Sequence, residues 1–453
     1  MQRVTPAAGM RWLAMPRLGA FATAGLLAAL ALAVSLSTIG HESLWFDEGV
    51  TLRVGRYGRE PWFEHLFTRE PFWALYYAAM RPVIELTDNL VLLRLPSALA
   101  AAGTVGLTYL VGRRLVGRRA AMAGSLFLVP HGFLLQYAQE ARGYAPAAFL
   151  MVACVLAFVL ACERPSWRRW ILYALLGILA VYAHFFAAFV IAAQFLALGF
   201  RGRAWIRAHC HYPAAAFAII GLAAFPLANW LLAAEQTRRF VRAITPDRII
   251  AAFAWFGGAN VMPHNPLYYL LAAAAAVAMA LALVHLVARA RSKAWPWRPV
   301  LLAAWLVLPL LVSLVISMTI KPVFTYRYLI VSLPALGLGI GLLLVGLRSW
   351  MWRAGASAVV AALLAIGAWS VLLTTNKPDW NGAAQYVLES AEPGDVVIMQ
   401  PGWQWTPMSY AMDQATTEPI PERRITKARP NHAAATLDRL RRKGTRIWLV
   451  VFD

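Results

Sequence analysis

Charge is what this chain has least of. Only 14% of its 453 residues are Asp, Glu, Lys or Arg, where a soluble domain carries about 25%, and that scarcity excludes a water-soluble fold. Acidic residues are the rarer half, 21 against 42 Lys and Arg. Cysteine is rarer still. Cys154, Cys162 and Cys210 have neither the number for a disulfide framework nor the spacing of a structural zinc site, and they read as small packing or loop residues. No glycine-rich phosphate loop is present either, which disfavours a soluble nucleotide as substrate. The net charge of +21 would suit nucleic acid only if it were gathered into one stripe, and it is scattered over many short loops.

Apolar length is what the chain has in abundance. It is 60% hydrophobic with a mean hydropathy of +0.59. A membrane-spanning helix needs about 20 mostly apolar residues, and about eleven stretches qualify, some of them short: 18–39, 96–112, 120–136, 145–162, 170–183, 186–200, 213–234, 266–288, 300–318, 329–347 and 355–373. The first follows Arg11 and Arg17 and carries Ala31-Leu32-Ala33, which is similar to a cleavage site. Its length and the spans after it make it a retained anchor.

The loops fix an orientation. Arg113, Arg114, Arg118 and Arg119, then Arg164, Arg168 and Arg169, then Arg201, Arg203 and Arg207, then Arg289, Arg291, Lys293 and Arg298, and finally Arg348 and Arg353 fall in one alternating set. By the positive-inside rule that set is cytoplasmic. Asp47, Glu48, Glu70, Glu85, Asp88, Glu140, Glu235 and Asp247 fall in the other. The expected fold class is therefore mainly α, a polytopic helical bundle of about 11 spans in the plasma (inner) membrane, with the N-terminus cytoplasmic. Residues 1–375 form the transmembrane module, including a long outer loop, 40–95, rich in Trp, Phe, Tyr and Pro. Such aromatics favour the interface, and short interfacial helices are expected there.

Residues 376–453 change character. A helix over 379–390, a strand over 396–399, a second helix over 431–443 and a strand over 447–452 read as a small extracytoplasmic α/β domain. The chain stops in or at the end of that strand, which reads as a truncated tail.

Chemistry is sought among the outer acids. Asp47 and Glu48 follow the first span directly, where a water-soluble acceptor meets a substrate carried in lipid. Carboxylates cost free energy to hold at a membrane and mark function by default. One of them within reach of an acceptor hydroxyl can act as base for sugar transfer from a phosphate carrier. The alternative is that Asp47 caps an interfacial helix. Glu140 supplies a further acid on the same face, and two-residue spacing keeps it off any helix face shared with Arg142. A turn could present both to a cleft; a merely solvated loop is the alternative. Lys321 and Arg327, among Phe324, Tyr326 and Tyr328, are exceptions to the positive-inside rule and suit an anionic lipid phosphate, Arg327 best because its guanidinium grips two oxygens. Ordinary headgroup contact is the bland reading. His184 and His264 lie in outer turns and could bind sugar or phosphate, or be structural.

Taken together these residues resemble the polytopic GT-C glycosyltransferases of the family-39 type, the group of the protein O-mannosyltransferases and the lipid A aminoarabinose transferase. The marks are Ser43-Leu44-Trp45-Phe46-Asp47-Glu48-Gly49, Arg94-Leu95-Pro96-Ser97-Ala98-Leu99, Gln139-Glu140-Ala141-Arg142-Gly143-Tyr144, Lys321-Pro322 with Arg327-Tyr328, and Lys377-Pro378-Asp379-Trp380. The resemblance implies that Asp47 is the catalytic base, with Glu48 and Glu140 positioning the acceptor or a cation. It implies that Arg327, Lys321 and Arg142 hold the donor phosphate, and that Glu70, Tyr144 and His184 lie against substrate. The donor would be a polyprenyl-phosphate-linked sugar, and the acceptor a lipid, glycan or protein. No cofactor is required by the motifs, and a divalent metal stays an open alternative. One departure stands out: Arg69-Glu70-Pro71-Phe72 occupies the place of a His-Pro-Pro-like motif. The rival class is a transporter or flippase of lipid-linked sugars, which would place ionisable groups near the midplane and show internal repeats.

Overall fold

The computed structural model describes residues 19–233, 243–260, 265–292, 296–374, 377–392, 395–400, 405–415, 438 and 446–451. A helix or a pair of helices stands in each place where a span is expected. Among the described residues, seven helices are long and apolar enough to cross a membrane, or eight if the bent pair Ala187–Leu198 and Arg203–His209 counts as one. The first, Ala20–Leu36, is apolar but only 17 residues long. The expected span 120–136 is broken into Arg118–Leu128 and Gly132–Ala138. The break falls at Pro130-His131, because proline has no N–H to continue the ladder and His131 Nδ1 starts the next helix by accepting from Phe133 N at 3.3 Å. Residues 1–18, Glu235, His264 and Lys293 lie outside the described residues.

Small residues set the closest helix contacts. A methyl group added at Gly341 would sit 2.2 Å from Ala120 O, and one at Gly124 would sit 2.5 Å from Gly337 O. Helices Arg118–Leu128 and Leu333–Gly346 therefore touch backbone to backbone, the contact that small residues permit in lipid, where hydrophobicity drives no association.

The outer loop folds into short helices: Phe46–Gly55, Arg59–Glu64, a π turn His65–Arg69, a 3-10 turn Pro71–Trp73, and Ala74–Leu86. Beyond the last span, helix Trp380–Ser390 leads to strand Val396–Gln400, which pairs in parallel with Ile447–Val451, Val396 opposite Ile447. Helix Trp405–Ala415 was not expected from the sequence. It packs on the outer loop, where Tyr410 Oη donates to Asp88 O at 2.6 Å and Thr406 and Pro407 lie against Gly49. The helix expected over 431–443 lies outside the described residues apart from Asp438.

Candidate active site

Asp47 and Glu48 open the helix Phe46–Gly55, and consecutive helical positions point about 100° apart. The local fold uses that divergence to send the two acids to different places. Glu48, at the third helical position, reaches back and accepts from Trp45 N at 2.9 Å, the return half of a capping box. The capping role that the sequence allows Asp47 thus falls to its neighbour. Asp47 is left at the wall of a cavity of about 1330 Å³.

Glu48 is completely buried and bound on every side. Arg94 grips it with Nε at 2.8 Å and Nη2 at 2.9 Å, and Ala141 N donates to it at 2.8 Å. Arg94 also donates to Ile39 O at 2.8 Å, Glu42 O at 3.0 Å and Ser43 O at 3.1 Å. One ion pair therefore joins the turn after the first apolar helix, the Asp47 helix, the head of the span Leu90–Leu115 and the turn at Ala141. Burial would raise the Glu48 carboxyl, but Arg94, Lys377 and these hydrogen bonds hold it down at about 2.

Glu140 belongs to the same sealed region. Gln136 donates to it at 2.6 Å, and Lys377 Nζ lies 3.6 Å away. Burial raises its carboxyl above the usual range against the pull of Lys377, and nearby Glu48 adds to the rise. The turn Gln139–Gly143 does present both its charged residues, as the spacing allowed, but to opposite sides: Glu140 goes inward and Arg142 faces the cavity. Arg142 lies with its guanidinium carbon 5.1 Å from the centre of the Trp73 ring and Nη1 3.4 Å from Tyr77 Oη. Gly143 has to be glycine here, since a methyl group would fall 2.5 Å from the Trp73 ring.

The cavity wall brings together Asp47, Glu70, Arg142, Tyr144 and Arg327 from the sequence expectations. Asp47 Oδ2 accepts from Arg327 Nη1 at 2.8 Å, and both side chains keep some exposure, 20% and 31%. Glu70 accepts from Tyr77 Oη and lies 3.3 Å from His65 Nε2. Burial would raise Glu70, yet His65, Arg142 and Tyr77 hold it below its ordinary value. Glu48, Glu140, Lys321 and His184 do not line the cavity. Lys321 is buried. His184 is buried among Trp73, Phe185, Phe186 and Tyr328, and its Nδ1 accepts from Phe186 N at 3.2 Å. Burial pushes that imidazole down to about 3, so it is neutral and packed.

Residues that sequence reasoning passed over complete the wall. His65 stands where a π turn carries it onto Glu70, so an imidazole is present in the cavity although the expected motif is not. Arg53, Arg69, Asp247 and Arg248 line the outer part, and Trp230 closes against Phe72 while donating to Thr68 O at 2.8 Å. For Arg53, Arg69 and Arg248 the available signal was their place in the loops that otherwise hold the acids. Among the described residues no group of three His, Cys, Asp or Glu side chains is gathered as a metal site.

A polytopic bundle with a charged cavity beside its first outer loop is the class that fold and site define, and comparison with known proteins agrees. The family model described as dolichyl-phosphate-mannose-protein mannosyltransferase matches residues 71–230. The fold is that of ArnT from Cupriavidus metallidurans. Its apo structure aligns at a TM-score of 0.55 and 15% identity over 93% of this chain and 88% of that one. The same protein bound to undecaprenyl phosphate aligns at 0.54 and 16%, over 94% and 89%. The family match covers residues 71–230 alone and the likeness to ArnT is one of fold; both agree with the resemblance read from the sequence. No curated protein sequence matches this one.

Proposed function

We propose that this protein moves a sugar from a polyprenyl-phosphate carrier to an acceptor hydroxyl at the extracytoplasmic face of the inner membrane, with inversion and with Asp47 as base. The observation that carries the reading is the Asp47–Arg327 pair, 2.8 Å apart on the wall of the cavity. A carboxylate and a guanidinium side by side are what the reaction asks for, one to take the acceptor proton and one to bind the departing phosphate. A donor phosphate held by Arg327 and Arg142 competes with Asp47 for the guanidinium and frees the carboxylate for the acceptor. Lys321, off the wall, is left out of that contact. Glu70 with His65, and Tyr144, line the cavity where sugar and acceptor lie. Glu48 and Glu140 act from behind, by fixing the helix that carries Asp47. ArnT binds undecaprenyl phosphate, which supports a lipid phosphate as the donor's carrier.

The sided distribution of arginine supports a cytoplasmic N-terminus and an outer C-terminal unit. The clustering of the acids at one face favours an enzyme over a flippase. Membranes supplied with labelled polyprenyl-phosphate sugars should transfer label with the wild type and not with Asp47→Asn at equal protein level. Equal signals from the two, or none from a full donor panel, would move the reading to a carrier.

A further inference from the structure

Lys377 begins the C-terminal unit, yet its ammonium is buried beneath the outer loop. It lies 3.4 Å from Glu42, 3.6 Å from Glu140 and 3.7 Å from Glu48, and its side chain is only 5% exposed. Those carboxylates come from three different segments, the turn after the first apolar helix, the Asp47 helix and the turn before Tyr144. Arg94 is a second cation there, paired with Glu48. Without Lys377, the buried Glu48 and Glu140 and the part-buried Glu42 would lose the cation they share. A buried charge left uncompensated is strongly unfavourable, so the segments would move apart or take up water.

The neighbouring contacts run the same way. Asp379 starts helix Trp380–Ser390 by accepting from Gly382 N at 2.9 Å, and Ser43 Oγ both donates to Asp379 at 3.4 Å and accepts from Asn381 N at 3.2 Å. Farther along, Thr406 and Pro407 press on Gly49, two residues from Asp47. The C-terminal unit thus meets the Asp47 helix at two adjoining residues, Glu48 and Gly49, through one buried cation and one patch of van der Waals contact.

We infer that Lys377 is a positioning residue, the electrostatic pin by which the C-terminal unit holds the Asp47 helix in its catalytic place. On this account the unit's first duty is to the geometry of the base, ahead of any selection of acceptors. The inference rests on the transferase reading above for its effect on rate, and on geometry alone for the docking.

The test therefore has two readouts. An ideal Cβ at Gly49 would lie 3.3 Å from Thr406 Cβ, close to the roughly 3.5–4.5 Å of a disulfide. Gly49→Cys with Thr406→Cys, in a Cys210→Ser background, should cross-link on mild oxidation and report docking without any activity. Lys377→Met is expected to cut the cross-linked fraction at least about fivefold. Adding Glu42→Gln, which removes one carboxylate and restores the charge balance, should bring most of it back. In chains without the added cysteines, Lys377→Met should lower kcat at least about tenfold with donor KM within about twofold, and Lys377→Arg should keep most of the rate. If Lys377→Met fails to accumulate in membranes, accumulation becomes the readout, and Glu42→Gln should restore it. An unchanged cross-link in Lys377→Met, a loss that Glu42→Gln does not relieve, or an unchanged kcat despite a lost cross-link overturns the inference. A silent wild type would count against the transferase reading alone, and the cross-link would still decide the pin.

Discussion

Asp47 and Glu48 are neighbours in the chain and opposites in surroundings. Asp47 looks onto a large cavity, holds one partner and keeps a fifth of its surface open. Glu48 is sealed, doubly gripped by Arg94 and tied to two backbone N–H groups. A base must give up its present partner when substrate arrives, and a carboxylate fixed by four donors cannot do so cheaply. On the proposed function, the difference separates a group placed for chemistry from a group placed for architecture, although both are acids in one motif. The same contrast divides Arg327, on the wall, from Arg94, beneath it.

Removing the sealed partner should do the greatest harm. Arg94→Met leaves Glu48 buried with its main cation gone, a loss of about 3–5 kcal/mol, to be read as a large drop in melting temperature of the detergent-solubilised protein. Glu48→Gln should be milder, because it removes the charge instead of stranding it.

Acid should sharpen the contrast. Glu48 is held at about 2 against an ordinary value of 4.5, so its stabilisation is present above the ordinary value and is lost as pH falls from there through about 2. The contribution is about 3 kcal/mol at 1.36 kcal/mol per unit. Glu140, shifted upward, acts with the opposite sign, disfavouring the fold above its raised value and relieved as pH falls through it. Thermal melts from pH 7 downward should therefore show a loss below about pH 4.5 that Glu48→Gln largely abolishes, while Glu140→Gln removes a gain above that pH and leaves the loss below it unchanged.

On the open side the effects fall on substrate. Arg327→Met should cost about 1.5–3 kcal/mol in donor binding, the value of a hydrogen bond to a charged group, seen as a donor KM raised roughly 10- to 150-fold with little change in melting temperature. His65→Gln should be the smallest, about 1 kcal/mol, visible as a severalfold change in acceptor or donor KM and none in fold.

The apolar spans were legible because lipid demands long uncharged runs, and the loop charges carry the proposal of a side for each loop. Asp47 and Arg327 were legible as candidates because charge at an outer membrane face is an exception that asks for a reason. Their pairing was not, since 280 residues separate them. The burial of Glu48 was hidden for a related reason. Its partners Arg94 and Ala141 come from distant segments, and nothing local says which of two adjacent acids will meet them. Lys377 was legible only as part of the Lys377-Pro378-Asp379-Trp380 mark, and only the fold carries three carboxylates to it. Helix Trp405–Ala415 was missed because its Pro407 and mixed periodicity argue against a helix until the outer loop supplies the surface it packs on.

The central claim is that Asp47 handles the acceptor proton while the acids behind it hold the frame. Steady-state transfer by purified Asp47→Asn is its most direct test, with donor binding measured alongside. The account predicts kcat reduced by about 10²–10⁴, the usual worth of a positioned base, with donor binding within about threefold of wild type and an unchanged melting temperature. A kcat within a few-fold of wild type would contradict it, and the base would have to be sought elsewhere on the cavity wall.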